Sequence, residues 1–225
     1  MPQAVLQSSN AAQSILASFW KADPANFEIR RDMAVIQSQI AAAYDAIRDD
    51  TPAEDAHRKG LAIYQKLQWR NPKSDRSHDD LAGARNALGQ WLTRHGRQRE
   101  ALEHFSAARA AFDKLMQRNP NAGFDERKMV RSIGGLADVH MKLGDRVTAC
   151  GEYRDALALA SRLQAAGRLK ASDQNERPVP ERTGGLPIPL AYPKCPHVFP
   201  ARHAAPDLER LPDIAPAIGY CLFSE

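Results

Sequence analysis

The sequence predicts an all-α fold, a solenoid of about seven helices in stacked antiparallel hairpins, followed by a proline-rich and mostly irregular C-terminal tail. Three observations predict it. Pro24, Pro72 and Pro120 each follow Asp or Asn and are equally spaced along the chain, and a fixed interval of this kind indicates a repeat architecture. Within each interval, apolar residues are spaced three and four apart, which is the helical period. Side chains of one size class also recur at the same interval, as in the sets Met33, Leu81 and Met129; Ala53, Ala101 and Ala149; Leu67, Leu115 and Leu163.

The N-terminal segment, residues 1–23, is predicted to form one helix, because residues 5–22 match only the second half of a unit. This helix is either an N-terminal cap or part of a longer array, and the sequence leaves both open. Three complete units follow, at residues 24–71, 72–119 and 120–170. Each is expected to hold a first helix, a short turn, a second helix and an Asx-Pro connection. Such hairpins must stack, because one hairpin alone cannot bury its apolar face.

The ends of the helices are marked by three kinds of residue. Gly96 and Gly144 predict the end of the first helix in units two and three, because glycine tolerates the left-handed conformation found there. Unit one reads "DDTPAED" at this point, which predicts an N-cap at Thr51 and a capping box with Glu54. The Asp-Pro or Asn-Pro step predicts the end of each second helix, because the residue before proline is pushed out of the α region. The pair Gly134–Gly135 is expected to allow close helix packing.

Composition changes abruptly after the third unit. Ten of the fifteen prolines lie between residues 178 and 216, and proline at this density disfavours both helix and sheet. Residues 171–225 are therefore predicted to be disordered or loosely attached. Cys195, His197, His203 and Cys221 are soft metal ligands in this tail, but their spacing matches no zinc motif, so no metal site is predicted.

Charge and hydropathy exclude several classes of protein. The net charge is +4, with 26 basic and 20 acidic groups in residues 1–170 and 5 and 7 in residues 171–225. No dense Lys/Arg run occurs, so nucleic acid is not an expected partner. The N-terminus has no basic start or continuous apolar run of a signal peptide, and no stretch approaches the ~20 apolar residues of a membrane span. Three cysteines favour a reducing compartment, so a cytoplasmic protein is predicted.

Units two and three carry a recognisable pattern within "ALGQWLTRHGRQREALEHFSAARA" and "GLADVHMKLGDRVTACGEYRDALA". Both segments resemble the tetratricopeptide repeat, with its small residue in the first helix, glycine turn, alanine, aromatic residue and second alanine. Unit one matches less well and lacks the turn glycine. The matching positions are Gly89, Leu92, Gly96, Ala101, Phe105 and Ala108 in unit two; Ala137, His140, Gly144, Ala149, Tyr153 and Ala156 in unit three; and Ala41, Tyr44, Ala53, His57 and Gly60 in unit one.

The resemblance extends over about residues 5–167 and implies a right-handed solenoid. The interval of 48 residues departs from the roughly 34 residues of the standard repeat. Long-period variants of this kind occur in bacterial multidomain proteins, beside serine/threonine kinases, cyclases or other signalling modules. The resemblance therefore implies a protein-interaction module.

Catalytic signatures are not found. The sequence contains no phosphate-binding loop, no H-E-x-x-H motif and no G-x-S-x-G elbow, so we expect neither an enzyme nor a bound cofactor. Asp79 and Asp80 are expected at the start of a helix, where the helix dipole favours acidic groups. His140 lies at a packing position and is expected to be partly buried. Trp91 is expected in the core, and Trp69 over the seam between repeats.

In the tetratricopeptide family, first helices line a concave face that binds peptides or proteins. The resemblance therefore implies a non-enzymatic scaffold that binds a polar or acidic peptide or protein on this face. The alternative is a C-terminal regulatory part of a larger bacterial signalling protein, such as a kinase. The positions carried over are Ser38, Ala42 and Asp45 in unit one; Asn86, Gln90, Thr93 and Arg94 in unit two; and Arg131, Asp138, Met141 and Lys142 in unit three.

Overall fold

The computed structural model describes residues 2–118 and 126–167. Within these ranges the protein is all-helical, with seven helices and no strand, as the sequence predicts. The predicted tail and the connection at residues 119–125 lie outside the described residues. The helices are α1 (Pro2–Ala22), α2 (Phe27–Ile47), α3 (Asp50–Arg70), α4 (Asp75–Arg94), α5 (Gln98–Arg118), α6 (Glu126–Leu143) and α7 (Arg146–Ala165).

The helix boundaries repeat at the interval found in the sequence. Helices α1, α3 and α5 end at residues 22, 70 and 118, and helices α3, α5 and α7 begin at residues 50, 98 and 146. Helices α2 and α4 begin at residues 27 and 75. The steps within these sets are all equal and match the spacing of the prolines, so the periodicity of the side chains is also a periodicity of the backbone.

The chain forms two compact units. In the first unit, helices α1 to α5 follow one another, and each packs against the next. In the second unit, α6 and α7 form one hairpin. Odd-numbered helices are the second helices of the repeats, and α2, α4 and α6 are the first helices.

Helices α2 and α4 begin at equivalent side-chain caps. The side chain of Asn26 accepts a hydrogen bond of 3.1 Å from the backbone N–H of Ile29, and that of Ser74 accepts one of 3.2 Å from Ser77. Asn26 and Ser74 are separated by one full repeat interval. Each cap satisfies one of the four backbone donors that a helix N-terminus leaves without a partner, a contribution of about 1 kcal/mol. The cap lies just after the Asx-Pro step, so this step lies between α1 and α2 and again between α3 and α4.

The hairpin turns also repeat. Arg48, Gly96 and Gly144 all adopt the left-handed conformation, with φ of 59°, 77° and 85°, so the glycine prediction is confirmed. The next residue at each turn donates a backbone hydrogen bond to a carbonyl in the last turn of the preceding helix, which is the Schellman closure of a helix end. These three bonds run from Asp49 to Tyr44, from Arg97 to Leu92 and from Asp145 to His140.

The capping box predicted in unit one is not formed. Helix α3 begins at Asp50, with Asp49 as its N-cap, so Thr51 lies inside the first turn. The carboxylate of Glu54 accepts hydrogen bonds from Arg58 and Arg97. Two arginine side chains therefore hold the group that a capping box would need.

The core of each hairpin consists of the apolar positions that recur in the sequence. Phe105 and Phe112 of α5 and Leu88 and Leu92 of α4 are at most 1% exposed, and each fully buried side chain of this size contributes about 1.5–3 kcal/mol. A Cβ built on Gly89 would lie 3.0 Å from the ring of Phe105. The absence of a side chain at Gly89 therefore lets the Phe105 ring lie close to α4.

One prediction about packing is wrong, and another fails for one of its two residues. A Cβ on Gly134 would meet nothing within 4 Å in the described structure, so this glycine is not needed for a close helix contact, whereas Gly135 is buried in α6. Trp69 is 78% exposed and does not cover a seam. It lies two residues beyond the buried Leu67, a rotation of about 200° around α3, which turns it to the opposite side. Trp91 is 3% exposed, as expected for a core residue.

Candidate functional site: the first-helix face

The candidate site is the outward side of the first helices, which we call the first-helix face. In the first unit it consists of Ser38, Ala42 and Asp45 on α2 and of Gln90 and Arg94 on α4, all at least partly exposed. In the second unit it consists of Arg131, Asp138 and Lys142 on α6, which are exposed. Each unit presents its own part of this face.

Two of the residues predicted for this face lie inside the protein. Asn86 is 2% exposed and Thr93 is 8% exposed. The hydroxyl of Thr93 donates a hydrogen bond of 2.8 Å to the carbonyl of Gly89. Ala82, Asn86, Gly89 and Thr93 are spaced four, three and four residues apart, so they form one buried edge of α4. Asn86 and Thr93 are therefore not available to a ligand, while Gln90 and Arg94 lie on the neighbouring edge.

Asp45 and Arg94 connect the two first helices of the first unit. The guanidinium Nη2 of Arg94 donates to the carboxylate Oδ2 of Asp45 at 2.8 Å. The same oxygen lies 3.5 Å from the Nε2 of His57 on α3. Burial lowers the pKa of His57, although Asp45 opposes the shift. The Arg94 side chain is 55% exposed, so its guanidinium is anchored at one edge and accessible elsewhere.

A second histidine lies beside this pair. The ring of His95 stacks on the ring of Trp91 with centroids 3.9 Å apart. Its Nδ1 lies 2.7 Å from the Trp91 carbonyl, and its Nε2 lies 3.0 Å from Oδ1 of Asp50. Burial lowers the pKa of His95, but the Trp91 carbonyl and the Asp50 carboxylate outweigh it, and the pKa is raised overall. These contacts thus stabilise the charged form of His95 relative to a free imidazole.

In the second unit, the residues of α6 divide between the face and the hairpin contact. Met141 packs against Ala137, Ala149 and Tyr153, so it supports the hairpin and does not lie on the exposed face. The hydroxyl of Tyr153 donates a hydrogen bond of 2.5 Å to Oδ1 of Asp138. Asp138 is exposed as a residue, but its carboxylate lies against the hairpin, and desolvation raises its pKa.

His140 is held within the same hairpin. Its Nδ1 lies 2.7 Å from Oε2 of Glu152 on α7, and its side chain is 19% exposed. The prediction of a partly buried histidine is confirmed. Its partner Glu152 lies 12 residues further along the chain.

A charged network between α3 and α5 was not predicted. Arg58 bonds to Glu54 and Glu100 at 2.7 and 2.6 Å, and Arg97 bonds to Glu54 at 2.5 Å and also to Glu100. Each arginine thus bridges the same two carboxylates. These hydrogen bonds lower the pKa of both glutamates against the opposing effect of burial. The only signal in the sequence is the recurrence of opposite charges about one repeat apart.

Neither a metal site nor a membrane span occurs in residues 2–118 and 126–167. No group of three or more His, Cys, Asp or Glu residues in these ranges is placed to hold a metal ion. No helix in these ranges is both long enough and apolar enough to cross a membrane. Cys195, His197, His203 and Cys221 lie outside them. Cys150 is buried, and the cytoplasmic localisation stays a prediction.

Comparison with known proteins adds to the fold. No family model matches the chain, and no curated protein matches it. Among solved structures, the crystal structure of BtubC (BKLC) from P. vanneervenii is similar, with a TM-score of 0.54 and 23% sequence identity. The similarity covers 73% of this chain and 59% of BtubC, so this chain matches a little over half of that protein. The similarity supports the helical fold, and the resemblance to tetratricopeptide repeats stays a prediction.

Proposed function

We propose that this protein is a non-enzymatic scaffold, related to tetratricopeptide-repeat proteins, that binds an extended peptide or protein segment on its first-helix face. The observation that carries the proposal is the geometry of Arg94. Its guanidinium is fixed by Asp45 at 2.8 Å, yet the side chain remains 55% exposed. Guanidinium has five N–H donors in a planar fork, so a group anchored by one carboxylate can still bind another.

The charge of the exposed residues favours an acidic or polar ligand. Arg94 in the first unit and Arg131 and Lys142 in the second are exposed cations on first helices. Gln90 adds an amide that can both donate and accept hydrogen bonds with a peptide backbone. Arginine and lysine bind carboxylates through charge-assisted hydrogen bonds, which are roughly twice as strong as neutral ones.

Three histidines take part in the contacts within and between repeats. His57, His95 and His140 each lie beside a carboxylate. Each ring is held against its own hairpin or against the neighbouring repeat.

The experiment selects a ligand from a random peptide library displayed on phage, with the purified protein as bait. We expect enrichment of acidic peptides. The variant Arg94→Ala should bind a selected peptide at least tenfold more weakly by fluorescence polarisation, because a lost charge-assisted hydrogen bond costs about 1.5–3 kcal/mol.

The matched control is Arg99→Ala. It removes one arginine from an exposed position on the second helix α5 of the same unit. Equal weakening in both variants would show a general charge effect and contradict binding on the first-helix face. Unchanged circular dichroism of both variants ensures that the comparison concerns folded protein.

The alternative, a regulatory part of a larger signalling protein, also stays a prediction. It is tested by reading the genomic DNA upstream of the codon for Met1. An in-frame kinase or further units of the same repeat would support it.

A further inference from the structure

Helix α1 carries a row of apolar and small residues along one side, which we call the α1 stripe. Its three large members are exposed to an unusual degree, with Val5 at 43%, Ile15 at 57% and Phe19 at 56%. Small residues lie between them and beyond them along the same side. The α1 stripe consists of Val5, Ser8, Ala12, Ile15, Phe19 and Ala22, spaced three and four residues apart as on one face of a helix.

The equivalent positions are buried in the other second helices. Ala53, Ala101 and Ala149 correspond to Val5, and each is 0% exposed. Leu67, Leu115 and Leu163 correspond to Phe19 and are 2%, 2% and 5% exposed. The same sequence positions are therefore covered in three second helices and uncovered in α1.

In the first complete repeat, the first helix of the same hairpin forms part of the cover. Leu67 belongs to a cluster with Ala34 and Phe27 of α2, and Leu81 and Ala84 of α4 also pack against this cluster. A Cβ on Gly60, which corresponds to Ala12, would lie 3.4 Å from the Cβ of Gln37 on α2. The α1 stripe is thus the surface on which a hairpin partner would pack. Among the described helices, α1 packs mainly on α2, through an adjacent face that includes Leu6, Ala12 and Leu16.

We propose that the α1 stripe is the dimerisation surface of this protein and that it is covered by α1 of a second copy in antiparallel orientation. The first argument is charge. Helix α1 contains no acidic residue and one basic residue, Lys21. Two copies of such a helix approach without repulsion along their length, and Lys21 lies at opposite ends of an antiparallel pair. A two-fold interface needs a surface that is complementary to itself, and an uncharged stripe meets this condition.

The second argument is size. In an antiparallel pair centred between residues 13 and 14, each large residue of the α1 stripe faces a small one. Phe19 packs on the partner's Ser8, Ile15 on the partner's Ala12, and Val5 on the partner's Ala22. Alternation of large and small residues across facing positions lets two helices interdigitate closely. The two-fold axis relates each of these three contacts to an identical second one, so the pair of helices makes six contacts.

The third argument is continuity. Ala12 lies in the α1 stripe and also packs against the buried cluster of Ile36, Ile40 and Ala56. The stripe therefore borders the α1·α2 contact directly. The α1 of a second copy would pack beside α1 as a first helix packs beside a second helix in the other hairpins. The apolar surfaces of both copies of α1 would then be buried from water.

The first test is the oligomeric state of the full chain by sedimentation equilibrium. We expect a monomer–dimer equilibrium, and we expect Phe19→Glu to raise the dissociation constant about a hundredfold or more, because it places a charge in the apolar seam. The matched control is Trp69→Glu, which replaces another exposed aromatic residue near the end of a second helix and should leave the dissociation constant unchanged. A wild-type chain that sediments only as a monomer would overturn the proposal, as would a dimer that Phe19→Glu leaves intact.

The second test determines orientation. Residues 5 and 22 lie about 25 Å apart along one helix, so cysteines at these two positions cannot join within a chain. Val5→Cys/Ala22→Cys should form a disulfide-linked dimer under mild oxidation, with the bond between residues 5 and 22 located by peptide mass. Val5→Cys alone should form no more disulfide-linked dimer than the wild-type protein forms. A link between two copies of residue 5 would indicate a parallel pair and contradict the antiparallel arrangement.

Discussion

Arg31 on α2 holds Asp80 on α4 through two hydrogen bonds, from Nε at 2.5 Å and from Nη2 at 2.9 Å. The two residues are 49 positions apart and belong to successive repeats. Their side chains are 23% and 10% exposed, so this pair is partly withdrawn from water. The bidentate geometry fixes both distance and direction and thereby ties one first helix to the next.

The Arg31–Asp80 pair is expected to contribute more to the free energy of unfolding than the exposed pair of Glu28 and Arg76. A double-mutant cycle with Arg31→Gln and Asp80→Asn should give a coupling energy of about 1–2 kcal/mol in urea unfolding, because the pair is bidentate and partly buried. The control cycle uses Glu28 and Arg76, whose side chains are 57% and 53% exposed at 2.9 Å. Its coupling should stay below about 0.5 kcal/mol. Equal couplings would mean that the partial burial of Arg31 and Asp80 has no energetic effect.

The left-handed residue at the first hairpin turn should be a site for stabilisation. Arg48 has φ of 59° where the other two turns have glycine, and an L-residue in this region costs about 1–2 kcal/mol. Arg48→Gly should therefore raise the free energy of unfolding by about 0.5–1 kcal/mol after the entropy of glycine in the unfolded chain is subtracted. Gly96→Ala should lower it by about 1 kcal/mol. A lower stability of Arg48→Gly, or a higher stability of Gly96→Ala, in thermal unfolding would contradict this account of the turns.

Two glycines inside first helices should respond to alanine in opposite directions. Gly134→Ala meets open space and should stabilise α6 by about 0.8–1 kcal/mol, the usual difference between the two residues in a helix. Gly89→Ala would bring a methyl group 3.0 Å from the buried Phe105 ring and should destabilise the first unit by about 1–2 kcal/mol. The measurement is the midpoint of urea unfolding. Stabilisation by Gly89→Ala would mean that the ring shifts at no cost.

The His95 contact predicts a stability that depends on pH. The pKa of His95 is raised in the folded state, so its contribution is complete below its unfolded value of about 6.5 and is lost as pH rises through the folded pKa. Comparison of wild type with His95→Gln should show a larger loss of stability at about pH 5.5 than at about pH 8. Because His95 is partly exposed, the difference should be only about 0.5 kcal/mol.

The contribution of His57 to stability should depend on pH in the opposite direction. Burial lowers its pKa against the attraction of Asp45, and Arg94 and His95 lower it further. Its contribution is therefore present above the unfolded value of about 6.5 and is lost as pH falls through the folded pKa. Because the charge of His95 lowers the pKa of His57, the His95→Gln comparison reports on both histidines, and relief of this repulsion partly offsets the loss of stability expected at about pH 5.5. A larger loss of stability in His95→Gln at about pH 8 than at about pH 5.5 would contradict the raised pKa of His95.

Much of the fold could be predicted from the sequence because its signals are local. The helical period and the residues before Pro24 and Pro72 depend on neighbours within a few positions, and the structure places helix ends there. Gly96 and Gly144 marked their turns for the same reason. Arg48 was missed, because its conformation is imposed by the hairpin and by no preference of arginine. The nearby Thr-Pro pair instead indicated a cap that does not form.

The candidate site was less predictable because it depends on how each helix is rotated within the stack. A family pattern placed Asn86, Gln90 and Thr93 on one face, but the packing around α4 buries the first and last of them. Asp80 was expected to stabilise the N-terminus of its own helix, whereas α4 begins five residues earlier at Asp75. Its partner on α2 is distant in sequence, and only the folded stack brings the two together.

The recurrence of caps and turns at one constant spacing has a consequence for how such a chain can change in length. The Schellman closures at residues 49, 97 and 145 and the N-caps at residues 26 and 74 keep the same phase. A genetic duplication or deletion of 48 codons within the described repeats would therefore keep the remaining caps and turns in phase. An insertion of another length inside a helix would shift this phase for the residues that follow.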